Sequence, residues 1–257
     1  MKISVITTVR NAVDTVEETI QSVANQDYPD VEHVIVDGAS DDGTQQVISR
    51  YRKNLGSYVS EPDQGIYHGM NKGIDRAVGD VIGFLNADDS YQDESVLSQV
   101  AEVFTDPEVD GCYANLVYVD ARDTDRIIRY WNSREYQPGL FERGWMPAHP
   151  TFYVRARFYR ELGGFDTRYR YQSDFEHTAR FMAVNNIRTR YIPSIWVRMR
   201  MGGTTNRSIG NVIRGNLESY SACKTLGLRV TPFYFVTKFM NRLPQFFSRP
   251  PETKGTN

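Results

Sequence analysis

Asp88 and Asp89 stand side by side at the end of an apolar run, in the stretch VIGFLNADDSY. Adjacent carboxylates repel, and burial raises that cost. The pair is either solvated at a loop tip or neutralised by a cation. A third carboxylate, Asp174 in YQSDFEH, falls where a helix should begin. The helix dipole there favours its charged form, which suits a proton acceptor or an ordinary helix-start acid. Asp37 precedes Gly38, and Asp63 lies in EPDQG. Both are turn-forming contexts that also leave a carboxylate free to bind.

The elements that must position these groups follow from periodicity. Residues 3–7 read as a short buried strand. Helical spacing of Val16, Ile20, Val23 and Ala24 follows, with Asp14 and Glu17 as a capping box. A second strand ends at Asp37. Val47, Ile48 and Tyr51 mark a second helix, and a short strand lies near Tyr58. YHGMNKGIDRAVG reads as a third helix capped by Gly79, and DVIGFL as the next strand. Val96, Leu97, Val100, Val103 and Phe104 form another helical face.

This alternation predicts an α/β fold with a mainly parallel sheet and helices on both faces. Ligands of such sheets lie off the carboxyl ends of the strands. Thr8, Arg10, Asp37, Asp63, Asp88 and Asp89 should then share one edge. The second half changes character. GCYANLVYVD and RIIRYW read as antiparallel strands, and SDFEHTARFMAVNN as a helix with Ser173 as N-cap. A late strand, a Gly-rich loop and two helical segments follow.

The chain has 257 residues, 24% of them charged, and a net charge of -2. Nothing in that balance calls for nucleic acid as a partner. Cys112 and Cys223 form no zinc-type spacing, so a reducing compartment is expected. The first residues are too short an apolar run for a signal peptide, and no stretch suits a spanning helix. A cytoplasmic location is expected.

Taken together, SVITTVRN, VIVDGASDDGT, SEPDQGIYHGMNKGIDRAVGDVIGFLNADD, GGFD and SDFEH resemble the family 2 glycosyltransferases of the GT-A fold. The likeness is greatest to the bacterial branch that builds surface polysaccharides. It implies an inverting, metal-dependent hexosyltransferase that moves a sugar from a nucleotide-sugar, a UDP-sugar, to a glycan or lipid-linked acceptor. The acidic motif of that family holds the donor ribose and a divalent ion, manganese or magnesium. Here its first aspartate is Asn86. The resemblance implies Asp88 on the ribose side and Asp89, with Asp88, as metal ligands. Such ions often take one or two protein carboxylates and complete their shell with phosphate and water. It further implies Thr8, Arg10, Asn11, Asp37, Asp63 and Lys72 around the nucleotide, and Asp174 as the catalytic base. Asp37-Gly38 replaces a common pair of aspartates, which leaves open which carboxylate reads the base. Lys72 equally suits a solvated surface. Glu176 is the second candidate for the base. His149 is a candidate for acceptor or diphosphate contact, and Asp166 for holding the Gly-Gly turn. Gly202 and Gly203 resemble a loop that closes over donor.

The expected layout is a nucleotide-sugar-binding and catalytic domain over residues 1–205, a helical extension over 206–247 and a disordered tail over 248–257. Val236, Phe239, Met240 and Leu243 line one side of the last helix, with Lys238 and Arg242 at its flank. An aromatic and basic amphipathic helix suits peripheral contact with the inner membrane face. It equally suits packing on the core or a dimer interface. Competing functions are a nucleotide-sugar pyrophosphorylase-like enzyme and a non-catalytic glycan-binding relative. The first strand's loop, TTVRNAVD, lacks the glycines that a pyrophosphorylase or a dinucleotide-binding enzyme would need there.

Overall fold

The computed structural model describes residues 1–202 and 209–247. Among the described residues its sheet has nine strands, β1 (Ile3–Val9), β2 (Val31–Asp37), β3 (Ser57–Ser60), β4 (Val81–Phe84), β5 (Asp89–Tyr91), β6 (Gly111–Val119), β7 (Ile127–Trp131), β8 (Tyr153–Arg155) and β9 (Thr189–Arg200). The order is β3-β2-β1-β4-β8-β6-β9-β5, with β7 beside β6. The first four positions are parallel. β8 runs antiparallel to β4 and to β6. β9 runs parallel to β6, and β5 antiparallel to β9. The α/β alternation and the antiparallel β6–β7 pair agree with the sequence reading.

Among the described residues eight α-helices accompany the sheet: α1 (Val16–Ala24), α2 (Thr44–Arg50), α3 (Ile66–Arg76), α4 (Val96–Val103), α5 (Arg157–Leu162), α6 (Ser173–Ala179), α7 (Ile209–Thr225) and α8 (Tyr234–Arg242). β1 is buried almost throughout, so its run of apolar and small hydroxyl side chains has both faces covered. α3 lies unusually close to it. A Cβ at Gly73 would fall 2.3 Å from Ile6 Cγ2, and one at Gly69 3.0 Å from Thr8 Cγ2. These two glycines, on one face at helical spacing, let the helix backbone rest on the strand.

Several local expectations fail for physical reasons. The Asp14–Glu17 capping box does not form. Thr15 precedes α1 without a side-chain cap, and Val16 N–H donates to Ala12 O at 2.9 Å. Glu17 is drawn instead to Tyr51, whose hydroxyl donates to it at 2.6 Å. Gly79 does not cap α3, which ends at Arg76 with Ala77 as its C-cap. It is glycine because a Cβ there would fall 2.7 Å from Ser4 N. Ser173 is the first residue of α6 rather than its N-cap, which is Gln172. Lys238 is not at a flank: it is 3% exposed. It lies on the line Tyr234–Lys238 that α8 presses against the body of the protein, leaving Phe239 and Met240 outside. Gly203 and residues 248–257, where a closing loop and a disordered tail were expected, lie outside the described residues.

Candidate active site

β1, β2 and β3 end level, since Val9 pairs with Asp37 and Asp37 with Ser60. Their following residues leave the sheet together. Asp37 is fully buried. Its carboxylate accepts from the Ser40 N–H and hydroxyl and from the Ser60 hydroxyl. Ser40 Oγ accepts in turn from Asn11 N–H at 2.8 Å, and Asn11 Oδ1 from Asp41 N–H at 3.1 Å. Asn11 holds a φ of 51°, which asparagine tolerates better than most residues. Asp37 thus laces the first two loops together.

Asp63 occupies the space beside it. A Cβ at Gly38 would fall 2.7 Å from Asp63 Oδ2 and 3.5 Å from Arg10 Cδ. The bare backbone at position 38 is what admits the Asp63 carboxylate. Asp63 Oδ1 accepts from Gly65 N–H at 2.9 Å. Arg10 is exposed beside it. Thr8 Oγ1 is buried with no hydrogen-bond partner among the described residues. Lys72 pairs with Glu61 at 2.9 Å and donates to Pro62 O at 3.2 Å. It therefore ties α3 to the loop carrying Asp63.

The acidic pair is split by the fold. Asp89 opens β5 opposite Met199 and is 2% exposed, whereas Asp88 is half-buried. Asp89 Oδ2 accepts from Asn86 Nδ2 at 2.7 Å, and Oδ1 from Arg200 N–H at 3.3 Å. Burial holds the Asp89 carboxyl well above the usual range. Asp88 adds to the rise, and Asn86 and Arg200 oppose it. Among the described residues no three His, Cys, Asp or Glu side chains converge on one point. A cation here would take this pair from the protein and the rest of its shell from elsewhere, as phosphate-bridging magnesium or manganese does. A buried carboxylate pushed toward protonation is one that a neighbouring cation would ionise. The residues fit such an ion.

Asp174 lies in the first turn of α6. Its Oδ1 accepts from Phe175 N–H at 2.8 Å and from the Tyr67 hydroxyl at 3.3 Å. One turn along α3 from Tyr67, Asn71 accepts from Phe165 N–H at 2.7 Å and donates to Phe165 O at 2.9 Å. α3 therefore serves both sides of the site. Lys72 holds the Asp63 loop, while Tyr67 and Asn71 hold Asp174 and the GGFD turn. Tyr118 on β6 pairs with Met199 of β9, which Asp89 faces from the other side. Burial raises its hydroxyl above the ordinary value, Arg129 and Arg242 draw it down, and Asp89 and Asp174 add to the rise. Asp89 and Asp174 are thus within electrostatic reach of one phenol.

Neighbouring candidates take supporting positions. Glu176 is buried and paired with Arg180 at 2.8 Å. Arg180 also donates to Gly164 O at 2.5 Å, so this pair braces the Gly-Gly turn. His149 is buried and stacked on Phe84 with ring centroids 5.5 Å apart. Burial lowers its pKa, with Asp174 opposing. Asp166 accepts from Arg168 N–H at 3.0 Å within the turn. Tyr67, Asn71 and Tyr118 were not anticipated. The first two carried a signal, being four residues apart in IYHGMNKG and hence on one helix face. Tyr118 carried none.

The model of Glycosyl transferase family 2 matches residues 4–163. The chain belongs to this family. This glycosyltransferase is 28% identical over 250 residues to the PGL/p-HBAD biosynthesis glycosyltransferase of Mycobacterium tuberculosis, a match spanning 96% of the chain and 92% of that relative. Among solved structures, TarS 1-349 of S. aureus in complex with UDP-GlcNAc has a TM-score of 0.68 at 18% identity, covering 94% of this chain and 72% of that one. The mannosyltransferase PcManGT of Pyrobaculum calidifontis, in complex with GDP-Man and Mn2+, has a TM-score of 0.65 at 22% identity, covering 94% and 69%. These likenesses show the GT-A fold.

Proposed function

We propose that this glycosyltransferase transfers a hexose from a UDP-sugar, with inversion, to a glycan or lipid-linked acceptor in the building of a bacterial surface polysaccharide. The observation that carries the reading is the strand register that sets Asp89 and Tyr118 on either side of Met199, with burial, and then Asp89 and Asp174, raising the Tyr118 hydroxyl. In this reading Asp174 takes a proton, and Asp88 and Asp89 receive a cation-bound diphosphate. The TarS complex with UDP-GlcNAc favours the donor class, and the likeness to a PGL/p-HBAD biosynthesis glycosyltransferase favours a biosynthetic acceptor.

In this mechanism Asp63 and Thr8 read the nucleoside, since Asp37 is already committed to Ser40 and Ser60. Arg10 and Asn11 line the same edge. Asp88 faces the donor, and Asp89 backs it from inside the fold. Manganese or magnesium would be held by this pair and would neutralise charge on the diphosphate leaving group. Asp174 accepts the proton of the acceptor hydroxyl as that oxygen attacks the anomeric carbon. Tyr67 fixes the carboxylate's orientation by donating to Oδ1. A single base on the face opposite the leaving group gives inversion.

The outer face of α8 suits a peripheral place on the inner membrane face. Phe233, Val236, Phe239, Met240 and Phe247 are all exposed. Among the described residues no helix is long and apolar enough to cross a membrane. The test of the proposal is donor hydrolysis across a panel of UDP- and GDP-sugars, followed by NMR of the sugar first released. Metal-dependent release of the inverted anomer from a UDP-hexose is expected. Release of the retained anomer, or equal use of every donor without metal, would overturn it.

A further inference from the structure

Glu218 lies on α7, outside every motif read from the sequence and beyond the residues that the family model matches. Its half-buried carboxylate accepts from three successive backbone N–H groups. Oε1 takes Arg170 N–H at 3.2 Å, and Oε2 takes Tyr171 N–H at 2.7 Å and Gln172 N–H at 3.0 Å. Gln172 is the N-cap of α6, and its own side chain makes no capping bond. In a capping box a glutamate inside the helix reaches back to the N-cap N–H. Here that acceptor comes from a residue 46 positions along the chain. Asp174 follows Gln172 by two residues.

Other residues of α7 meet the same loop. The Tyr171 hydroxyl donates to Asn211 Oδ1 at 3.1 Å, and the Tyr169 hydroxyl to Thr225 Oγ1 at 3.3 Å. Asn211, Gly215, Glu218 and Thr225 share one face at helical spacing. A Cβ at Gly215 would fall 3.6 Å from Tyr171 Cβ, so the helix runs beside the loop at contact distance. At the loop's other end Asn71 of α3 brackets Phe165. The stretch from Phe165 to Asp174 is thus pinned at its start by α3 and near its finish by Glu218. Hydrogen bonds to an ionised carboxylate are the strong kind, and three of them hold the backbone just before Asp174.

We propose that Glu218 is a positioning residue for the transfer: it fixes the chain entering α6 and so sets where the Asp174 carboxylate meets the acceptor hydroxyl. This deepens the reading of Asp174 as the base and rests on it. Glu218 acts through Asp174, by backbone geometry and not by moving a proton. A displacement of about 1 Å at such a group can cost about 10²-fold in rate. α7 thereby has a part in the chemistry as well as in packing. Its loss should fall on turnover, because the nucleotide edge is built from the ends of β1, β2 and β3.

The experiment compares the full-length parent, Glu218→Ala, Glu218→Asp, Glu218→Gln and Asp174→Asn, with Mg2+ and the nucleotide-sugar that the parent hydrolyses fastest. It reads kcat, donor KM, UDP affinity and amide hydrogen exchange over residues 169–176. Glu218→Ala should lower kcat about 10- to 100-fold with donor KM and UDP affinity unchanged. Glu218→Gln keeps an oxygen for the Tyr171 and Gln172 N–H groups and should stay within about fivefold of the parent. Glu218→Asp keeps the charge but falls one methylene short, and should lie between the two. Exchange at residues 170–172 should quicken in the same order. Adding Glu218→Ala to Asp174→Asn should cost no further turnover, since both act through one carboxylate. Faster exchange with kcat unchanged in Glu218→Ala and Glu218→Asp, or a rise in donor KM alone, would overturn the proposal and leave the Asp174 reading intact. Full turnover by Asp174→Asn would overturn that reading and the proposal with it.

Discussion

Replacing Lys238 with methionine should make the protein more stable. The ammonium is 3% exposed and has only neutral hydrogen-bond partners, Ser219 and Gln172. Burial, and then Arg242, lower its pKa from 10.5 to about 7, with Asp174 opposing. The unfolded chain therefore holds this proton more tightly than the folded one. Between about pH 7 and 10.5 the unfolded state carries more protons, so stability climbs as pH rises through that window. Below it both states are charged and the full cost stands. The gap between 10.5 and about 7 corresponds to about 5 kcal/mol at about 1.4 kcal/mol per pH unit. Methionine has nearly the same shape and keeps the stem's packing against Gly144, while the lost bond to Ser219 costs about 1 kcal/mol. A net gain of about 2–4 kcal/mol at pH 7 is expected, in line with other buried charges replaced by apolar groups. Urea unfolding of parent and variant at pH 7 and near pH 10 measures it, and the gap should shrink at the higher pH. A destabilised variant at pH 7, or a gap independent of pH, would refute the reasoning.

Other substitutions probe other parts of the site. Asp37→Ala strands the Ser40 and Ser60 donors and should cost about 3 kcal/mol in urea unfolding, since buried unmade bonds cost about 1–3 kcal/mol each and water can reach some of them. Tyr67→Phe removes one hydrogen bond to Asp174 and should lower kcat about 3- to 10-fold with donor KM unchanged in steady-state assays. A rise in donor KM alone would instead place Tyr67 in donor binding. Phe239→Asp with Met240→Asp should weaken sedimentation with anionic vesicles at least about 10-fold, because each buried apolar side chain contributes about 1.5–3 kcal/mol. Unchanged sedimentation would return α8's outer face to a protein contact.

The edge that gathers Thr8, Arg10, Asp37 and Asp63 was legible because strand–helix alternation dictates a parallel sheet, and parallel strands deliver their ends to one side. The two aspartates after β4 were legible as a pair but not as a divided pair. Asp89 opens a three-residue strand against β9, a partner more than a hundred residues away, and no local pattern announces such pairing. Lys238 was misplaced because helical spacing describes two faces without saying which is covered. The more apolar face of α8 lies outside, while a lysine lies within. Gly38 shows the same limit from the other side. Its small size was read as a turn signal, whereas its consequence is the room it leaves for the Asp63 carboxylate.

The central claim is that a cation-receiving carboxylate and a proton-accepting one act on the same sugar. Metal-dependent UDP-sugar turnover by the parent, Asp88→Ala and Asp174→Asn, measured alongside UDP affinity, tests it most directly. Asp174→Asn should bind UDP as the parent does and lose turnover about 10²- to 10⁴-fold, while Asp88→Ala should lose the metal-dependent part of UDP binding. Equal turnover in all three proteins would contradict the account.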